Sequence, residues 1–356
     1  MNAGEEKFVQ RTLQLAACGQ GHVSPNPLVG AVIIKEGRII GEGFHRRYGE
    51  AHAEVNAVEE VKNPSDLVGA TLYVNLEPCA HFGKTPPCCD LVINRGISRV
   101  VVGMKDPNPS VAGLGIQRMQ QAGIEVEVMD DPPQHRWLNR RFLTLHSFQR
   151  PYLILKWAQT ADAFVNQNGK GAFQISDAAN RRWVHKWRAT EQALMVGSGT
   201  AIHDQPLLSV RHWTPALPTR IFIDRFLVIP SKILRAPATT IVYNCTKDHT
   251  DGNIEYVRLE KDGFFALLLA DLAVRGIASV LVEGGPTLHK ALINAGLWDE
   301  MRISVADKNL GSGIQAPMVD KVPDAVFISG KEIRTFVHLN QTNPTLSKIT
   351  PTLWAL

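Results

Sequence analysis

Ala51-His52-Ala53-Glu54 and Glu77-Pro78-Cys79 are the stretches on which the fold depends, and Cys88 completes their pattern. One imidazole and two thiolates supply three of the four ligands of a tetrahedral zinc ion, and they leave the fourth position for a water. Glu54 is too close in sequence to the histidine for a comfortable fourth ligand, but it is well placed to move a proton of that water. The sequence therefore predicts a Zn²⁺ site with one open position and the ligands His52, Cys79 and Cys88.

The chemistry expected of such a site is hydrolysis. A zinc ion in this ligand set lowers the pKa of its water, and the resulting hydroxide can add to an amidine-like ring carbon. Glu54 would take the proton of the water and return it to the departing ammonia, which is the task of a carboxyl group with a tuned pKa. Because histidine, glutamate and paired cysteines in this order are the signature of zinc-dependent deaminases, we expect a deaminase with Glu54 as its catalytic residue.

Two other interpretations of the zinc pattern stay open at the level of the sequence. A deaminase of the tRNA type would use the same chemistry on a nucleic acid, but a net charge of +4 without a basic stretch gives it little support. A structural zinc in a binding module would need a fourth protein ligand, and His81 between the cysteines is the candidate. His45 is a candidate pocket residue, with a surface histidine as the plain alternative.

Composition limits the class of protein. A chain of 356 residues is long for one hydrophobic core and favours two domains, and its hydrophobic and charged fractions, 44% and 20%, are ordinary for a globular protein. No apolar run approaches the length of a membrane span, so we expect no membrane partner. The mild net charge without a clustered basic patch gives no reason to expect a nucleic acid either. The odd number of five cysteines and an acidic N-terminus without an apolar core predict a cytoplasmic protein.

Alternating strand and helix patterns organise the chain into two α/β units. The first alternation runs to Val128, and it predicts a three-layer α/β domain whose metal ligands lie at strand ends and helix starts. A proline-rich break at residues 130–133 and the linker Gln149-Arg150-Pro151 separate it from a second alternation. We therefore expect a deaminase domain at residues 1–147 and a further domain at residues 148–356.

A second site is indicated near the C-terminal half of the chain. Residues 280–288 run from a strand through a glycine turn into a helix, where backbone N–H groups can approach a pyrophosphate, although a plain tight turn has the same pattern. The dinucleotide fingerprint of doubly wound folds is absent. Arg188 and Arg211 suit a phosphate because a guanidinium binds oxyanions as a bidentate fork, although either alone would be taken for a surface charge.

Four motifs in the first half point to one family, namely residues 25–30, 49–54, 76–88 and 106–109. Together they resemble the bifunctional deaminase/reductase family of riboflavin biosynthesis. The eight residues between Cys79 and Cys88, with the pattern His-x-Gly-x-Thr-Pro-Pro, separate this family from cytidine and tRNA-adenosine deaminases. The resemblance implies a cytidine-deaminase-like three-layer α/β/α domain that hydrolyses the amino group of a diamino-ribosylamino-pyrimidinone 5′-phosphate, with Asn26 contacting the pyrimidine.

Residues 155–158, 187–189, 196–200 and 204–211 follow in the family's order and resemble its reductase half, whose fold is similar to dihydrofolate reductase. The resemblance implies an NADPH-dependent reduction of the ribosyl side chain to ribityl and a homo-oligomer formed through this half. It assigns the cofactor to Ala158, Gln174, Thr200, Asp204, Gly285, Pro286, Thr287, Leu288, His289, Lys290 and Ala291. It assigns the substrate to Ala172, Arg188, Leu208, Arg211 and Glu283.

The second half also departs from the family's pattern. Residues 160–164 replace the usual Ser-Leu-Asp-Gly, residues 172–176 stand where relatives often have Ser-x-Trp-Ile-Thr, and Gln205 replaces an aspartate, whereas Asp162 is retained. Hydride transfer needs no protein nucleophile, because the cofactor carries that chemistry. A pocket with an altered lining could therefore still work, or it could have lost affinity for its ligands.

Overall fold

The computed structural model describes residues 4–82, 86–108, 112–130, 132–168, 173–211, 213, 217–346 and 349. It falls into two compact units, Met1–Phe148 with Thr345–Leu356, and Gln149–Pro344. The first division lies one residue after the boundary expected from the sequence. The C-terminal end differs from the expected 148–356, because Leu346 and Ile349 are buried and belong to the first unit rather than to the second. No helix in the described ranges has the length and apolarity needed to cross a membrane.

The first unit is built on a five-stranded sheet in the order β2-β1-β3-β4-β5. Its strand β1 pairs antiparallel with β2 and β3, whereas β3, β4 and β5 run parallel. Its elements in chain order are α1 (Glu6–Ala17), β1 (Gly30–Lys35), β2 (Arg38–Phe44), α2 (Ala53–Glu60), β3 (Thr71–Val74), α3 (Cys88–Asn94), β4 (Arg99–Val102), α4 (Leu114–Gln121), β5 (Glu125–Val128), α5 (Pro133–Leu138) and α6 (Arg140–Phe148).

Helices cover both faces of this sheet, because successive residues of its strands point to opposite sides. On one face Ile33, Leu72 and Val100 pack with residues of α2, α3 and α4. On the other face Val32 and Tyr73 pack with α1. Two cores on two faces make the three-layer α/β/α arrangement predicted from the sequence.

The second unit is built on a ten-stranded sheet in the order β11-β12-β10-β9-β8-β13-β6-β14-β17-β16. Its elements in chain order are β6 (Tyr152–Thr160), β7 (Phe164–Asn166), α7 (Ala178–Thr190), β8 (Ala193–Gly197), α8 (Ser198–Asp204), β9 (Thr219–Ile223), α9 (Ser231–Leu234), β10 (Thr240–Asn244), β11 (His249–Asp251), β12 (Ile254–Arg258), α10 (Phe264–Val274), β13 (Ser279–Val282), α11 (Pro286–Asn294), β14 (Glu300–Ala306), β15 (Ile314–Gln315), β16 (Ala325–Gly330) and β17 (Ile333–Leu339).

The central strands of this larger sheet are parallel. Strands β6, β13, β8 and β9 are neighbours, and each pair runs in the same direction. Their carboxyl ends therefore meet at one edge, which is where open α/β sheets bind ligands. The cofactor and substrate residues expected from the sequence fall largely on the segments that follow these four ends.

Candidate active sites

The three predicted zinc ligands come together in the first unit. His52 is the residue before α2, Cys79 follows the end of β3, and Cys88 begins α3, as the sequence predicts for these elements. His52 Nδ1 lies 3.6 Å from Cys79 Sγ and 3.3 Å from Cys88 Sγ, and the three donor atoms lie within 4.8 Å of one another. Zinc bonds of about 2.0 Å to nitrogen and 2.3 Å to sulfur would separate such donors by about 3.6 Å. The donor set therefore fits a zinc ion.

The same group has no fourth protein ligand in the part of the chain that the structure describes. His81, which a structural zinc would require, is exposed and is not a member of the group. A three-ligand set leaves the open position that hydrolysis needs.

The thiols of Cys79 and Cys88 differ in acidity. A hydrogen bond from Cys88 lowers the pKa of Cys79 to about 4, and a hydrogen bond with His52 adds to the effect. That hydrogen bond and burial raise the pKa of Cys88 well above its usual value. The arrangement thus favours the thiolate at Cys79, and metal binding has to displace the proton of Cys88.

Glu54 lies beside this cluster in the first turn of α2. Its side chain is buried, and its Oε2 atom has no hydrogen-bond partner among the described residues. Burial and, next, the negative charge of Cys79 raise its pKa to about 7. A buried carboxylate oxygen without a partner requires a proton or a polar ligand at that position. Glu54 can therefore hold or release a proton near neutral pH.

Asn26 enters the same region through a hydrogen-bonded chain. His45 Nδ1 lies 3.0 Å from the carbonyl oxygen of Ala51, which can only accept, so Nδ1 carries the ring proton. His45 Nε2 then accepts from Asn26 Nδ2 at 3.1 Å, and the ring stands edge-on to His52 with centroids 5.3 Å apart. The buried His45 thus lies beside His52, and it fixes which way the amide of Asn26 points.

Glu77 anchors the loop that faces Cys79, a role that the sequence pattern did not indicate. Its carboxylate accepts from the backbone N–H groups of Asp106 at 3.2 Å, Gly113 at 2.9 Å, Gly115 at 3.0 Å and Ile116 at 3.2 Å. A side chain at Gly115 would lie 2.1 Å from the carbonyl oxygen of Pro78, so the two segments are in close contact. The start of α4 is therefore fixed to the segment that carries Cys79.

The second unit contains a cavity of about 1900 Å³ at the carboxyl ends of β6, β8, β9 and β13. Of the residues expected at the cofactor and substrate sites, Leu208 is buried and lies outside the lining, and Ala172 lies outside the described residues. The others line the cavity: Ala158, Gln174, Arg188, Thr200, Asp204, Arg211, Glu283 and the segment from Gly285 to Ala291. Lining residues that the sequence did not indicate include Lys156, His185, Arg225 and Phe265.

The turn between β13 and α11 leaves no room for side chains. A Cβ atom on Gly284 would lie 2.5 Å from the Cα of Val196, and one on Gly285 would lie 3.0 Å from Thr200 Oγ1. Gly285 also has a φ of 37°, which favours glycine. The N–H groups at the start of α11 are therefore open to a ligand, as a dinucleotide pyrophosphate requires.

Arg188 differs from the expected phosphate ligand, because it already has a counter-charge. Its guanidinium binds the carboxylate of Glu283 through two hydrogen bonds of 2.6 and 2.5 Å and donates to the carbonyl of Ser209 at 3.0 Å. Burial raises the pKa of Glu283, but Arg188 and Lys156 outweigh it, so the pKa lies below its usual value. Arg211 is exposed; its backbone N–H lies 3.1 Å from His185 Nδ1 and its Nε lies 3.3 Å from His185 Nε2, and among the described residues it forms no hydrogen bond with a carboxylate. Arg211 is thus the better placed of the two for an anion.

Comparison with protein families matches both units. The cytidine and deoxycytidylate deaminase zinc-binding region matches residues 3–104, and the RibD C-terminal domain matches residues 151–341. The chain is 40% identical to the riboflavin biosynthesis protein RibD of Escherichia coli, over 93% of this chain and 96% of that one. It is 36% identical to RibD of Aquifex aeolicus, over 87% and 89% of the two chains. Neither a tRNA-type deaminase nor a structural-zinc binding module accounts for a reductase domain.

Solved structures agree with the fold. RibD of Acinetobacter baumannii matches with a TM-score of 0.86 and 34% identity, covering 95% of this chain and 99% of that one. A deaminase/reductase from Thermotoga maritima matches with a TM-score of 0.86 and 35% identity over the same shares. These matches confirm the predicted pair of folds, a cytidine-deaminase-like domain and a reductase domain. The chain belongs to the RibD family, the bifunctional zinc-dependent deaminases and NADPH-dependent reductases of riboflavin biosynthesis.

Proposed function

We propose that this chain deaminates diaminohydroxyphosphoribosylaminopyrimidine in its first unit and reduces 5-amino-6-(5-phosphoribosylamino)uracil in its second, the two reactions for which the relative from Thermotoga maritima is named. The observation that carries the proposal is the cluster of His52, Cys79 and Cys88 beside the buried Glu54, whose Oε2 atom has no hydrogen-bond partner among the described residues. Its composition and spacing suit a hydrolytic metal site.

In the first unit, His52, Cys79 and Cys88 would hold the zinc ion, which when bound would activate a water for attack. Glu54 would take a proton from the attacking water and deliver it to the exocyclic amino nitrogen, so that the bond between this nitrogen and the ring carbon breaks, ammonia departs and the oxygen stays on the ring. Asn26 orients the pyrimidine, and His45 fixes the direction of its amide. A pKa of about 7 for Glu54 before the metal binds favours both taking and giving up the proton.

In the second unit, bound NADPH would supply the hydride that converts the ribosyl group into ribityl. The cofactor is held by the turn and helix start of the segment from Gly285 to Ala291, together with Ala158, Gln174, Thr200 and Asp204. Arg211 binds the anionic part of the substrate, and the family resemblance assigns Ala172 and Leu208 to the same substrate, although Leu208 is buried outside the cavity lining. Arg188 holds the carboxylate of Glu283 in a fixed orientation beside it.

The remaining assignments concern partners and compartment. A homo-oligomer through the second unit is supported by β16, which ends the sheet order and exposes Val326 and Ile328. Such an edge strand is a template for pairing with another chain. The five free thiols support a reducing compartment, the cytoplasm, and neither a nucleic acid nor a membrane is a partner.

The test uses the purified full chain, the aminopyrimidine phosphate and NADPH. Ammonia should be released without NADPH, and NADPH should be oxidised only after deamination has supplied its substrate. Glu54→Gln should lower the rate of ammonia release by about 10²- to 10⁴-fold and leave reduction of the deaminated substrate unchanged. Glu59→Gln, an exposed carboxylate on the same helix, is the matched control.

Metal content gives an independent readout. We expect one zinc ion per chain by elemental analysis, retained in Glu54→Gln and lost in Cys88→Ser. Ammonia release at the normal rate by either variant would contradict the assignment of the first site. Oxidation of NADPH by the undeaminated substrate would contradict the proposed order of the two reactions.

A further inference from the structure

Arg225 lies at the edge of the second unit's cavity, directly beyond the carboxyl end of β9. Its guanidinium lies 4.5 Å from the ring centroid of Phe264 and 5.6 Å from that of Phe265. Stacking on aromatic faces holds a guanidinium in one plane while its N–H groups stay available at the rim. The side chain is thus fixed in position at a place that a ligand can reach.

The charge of Arg225 is not paired with a carboxylate of the described residues. In the described part of the chain, no carboxylate lies within the 4.0 Å of an ion pair with this guanidinium. Arg188, which lines the same cavity, is neutralised by Glu283. Of these two arginines, only Arg225 presents an uncompensated positive charge to a ligand in the cavity.

The neighbouring Asp224 does not compete for the ligand. Its buried carboxylate accepts from the backbone N–H groups of Val228 at 2.9 Å and Ile229 at 2.8 Å. An acidic group facing the cavity at this strand end would repel a phosphate and suit a free ribose hydroxyl instead. Asp224 also lines the cavity, but both of its carboxylate oxygens are occupied by these bonds, so the group with free hydrogen-bonding capacity at the end of β9 is the guanidinium of Arg225.

The order of strands determines which part of a dinucleotide lies near Arg225. The glycine turn proposed for the pyrophosphate follows β13, and β8 and then β9 come next in the sheet. Strands are about 4.8 Å apart, so β9 lies about 10 Å from β13. The helix α7, which carries Arg188, lies toward the other end of the sheet, away from β9. Its Trp183 packs against Phe327 of β16, with 5.2 Å between the ring centroids. The nicotinamide has to face the substrate residues, so the adenosine half extends toward β9.

We propose that Arg225 binds the 2′-phosphate of NADPH and makes the reductase prefer NADPH over NADH. The proposal rests on the cofactor site described under the proposed function. NADPH differs from NADH only in this phosphate on the adenosine ribose, and a guanidinium binds a phosphate through a pair of charge-assisted hydrogen bonds. Arg225 is therefore a specificity-determining residue rather than a participant in hydride transfer.

The test measures binding of NADPH and NADH to the full chain by isothermal titration calorimetry, without substrate. Arg225→Gln should weaken NADPH binding by about 10- to 100-fold and change NADH binding by less than about twofold. Arg225→Lys should recover part of the NADPH affinity, because it keeps the charge but loses the fork. The fragments 2′,5′-ADP and 5′-AMP should show the same contrast, which locates the effect in the adenosine half.

Arg258→Gln is the matched control, since Arg258 is an exposed arginine of β12 that does not line the cavity. Unchanged NADPH affinity in Arg225→Gln, or an equal loss for both dinucleotides, would overturn the role of Arg225 while leaving the cofactor site in place. Failure of the unaltered chain to bind NADPH would overturn the cofactor site and this proposal with it. Thermal unfolding of each variant shows whether an equal loss of affinity for NADPH and NADH comes from misfolding.

Discussion

Two buried glutamates of the first unit show how one residue type serves two purposes. The carboxylate of Glu77 accepts four backbone N–H groups, so its hydrogen-bonding capacity is used within the protein. Glu54 Oε2 has none among the described residues, and burial holds the pKa of Glu54 at about 7. A carboxylate whose acceptors are filled fixes the backbone, whereas one whose acceptor is left open can exchange a proton with a ligand.

His45 allows a test of how the pyrimidine is oriented. His45→Phe preserves a ring of similar size but removes the Nε2 acceptor, so the amide of Asn26 is no longer held in one orientation. We expect KM for the aminopyrimidine to rise about tenfold, the effect of one misplaced hydrogen bond, with a smaller change in kcat and an unchanged zinc content. Steady-state ammonia release and elemental analysis measure these quantities. His22→Phe, at an exposed histidine, is the control. Equal KM values in His45→Phe and the unaltered chain would contradict this role.

At the scale of elements, Glu77 connects two segments that are far apart in sequence. Glu77→Gln keeps the shape of the side chain but removes its charge and one of its two acceptor oxygens, so backbone N–H groups at the start of α4 lose their partner. We expect the free energy of unfolding of the first unit to fall by about 2–4 kcal/mol. Urea unfolding measures this loss, and amide hydrogen exchange should rise most at Gly113, Gly115 and Ile116.

Glu125→Gln is the control for this prediction, because Glu125 is an exposed glutamate on β5 of the same unit. Its stability should differ from that of the unaltered chain by no more than about 0.5 kcal/mol. An equally small change in Glu77→Gln, with unaltered hydrogen exchange around α4, would mean that other contacts hold this loop.

The elements themselves could be predicted where local patterns decide them. The helices that begin after His52 and at Cys88 and the buried strand β13 have strong local signals, and the structure has them there. Strand β16 has the alternating burial of an edge strand, but its pairing with β17 depends on the fold of the whole unit. The bonds from Glu77 to residues 106–116 and the position of Arg225 beside two phenylalanines also arise from tertiary packing, which a single sequence does not display.

At the scale of the whole molecule, each unit has its own core and its own set of functional residues. The sequence indicated the division, because the alternation of strands and helices stops at the prolines and restarts at Tyr152. It could not indicate that Leu346 is buried in the first unit, because a short segment rich in proline and threonine has no periodicity of its own. The pairing of Arg188 with Glu283 was hidden for a similar reason, since 95 residues separate them.

Each unit also contains a buried neutral histidine, and these residues predict how stability depends on pH. Burial lowers the pKa of His135 in the first unit and of His289 in the second to about 4, whereas an unfolded histidine has a pKa of about 6.5. Between these values the unfolded chain binds more protons than the folded one, so each histidine favours unfolding as the pH falls. The stability is fully present above pH 6.5 and is lost toward pH 4, by about 3 kcal/mol for each residue.

His135→Leu separates this effect from the protonation of the zinc ligands, which also weakens the first unit in acid. Neither ring nitrogen of His135 has a hydrogen-bond partner among the described residues, so leucine removes the titrating group without breaking a bond. Urea unfolding between pH 7 and pH 4.5 should give a flatter pH dependence for the first unit of this variant, while that of the second unit stays as steep as before. His249→Leu, at an exposed histidine of β11, should leave both slopes unchanged. A His135→Leu slope as steep as that of the unaltered chain would show that His135 takes up its proton without unfolding, and the acid sensitivity of the first unit would then belong to the metal site alone.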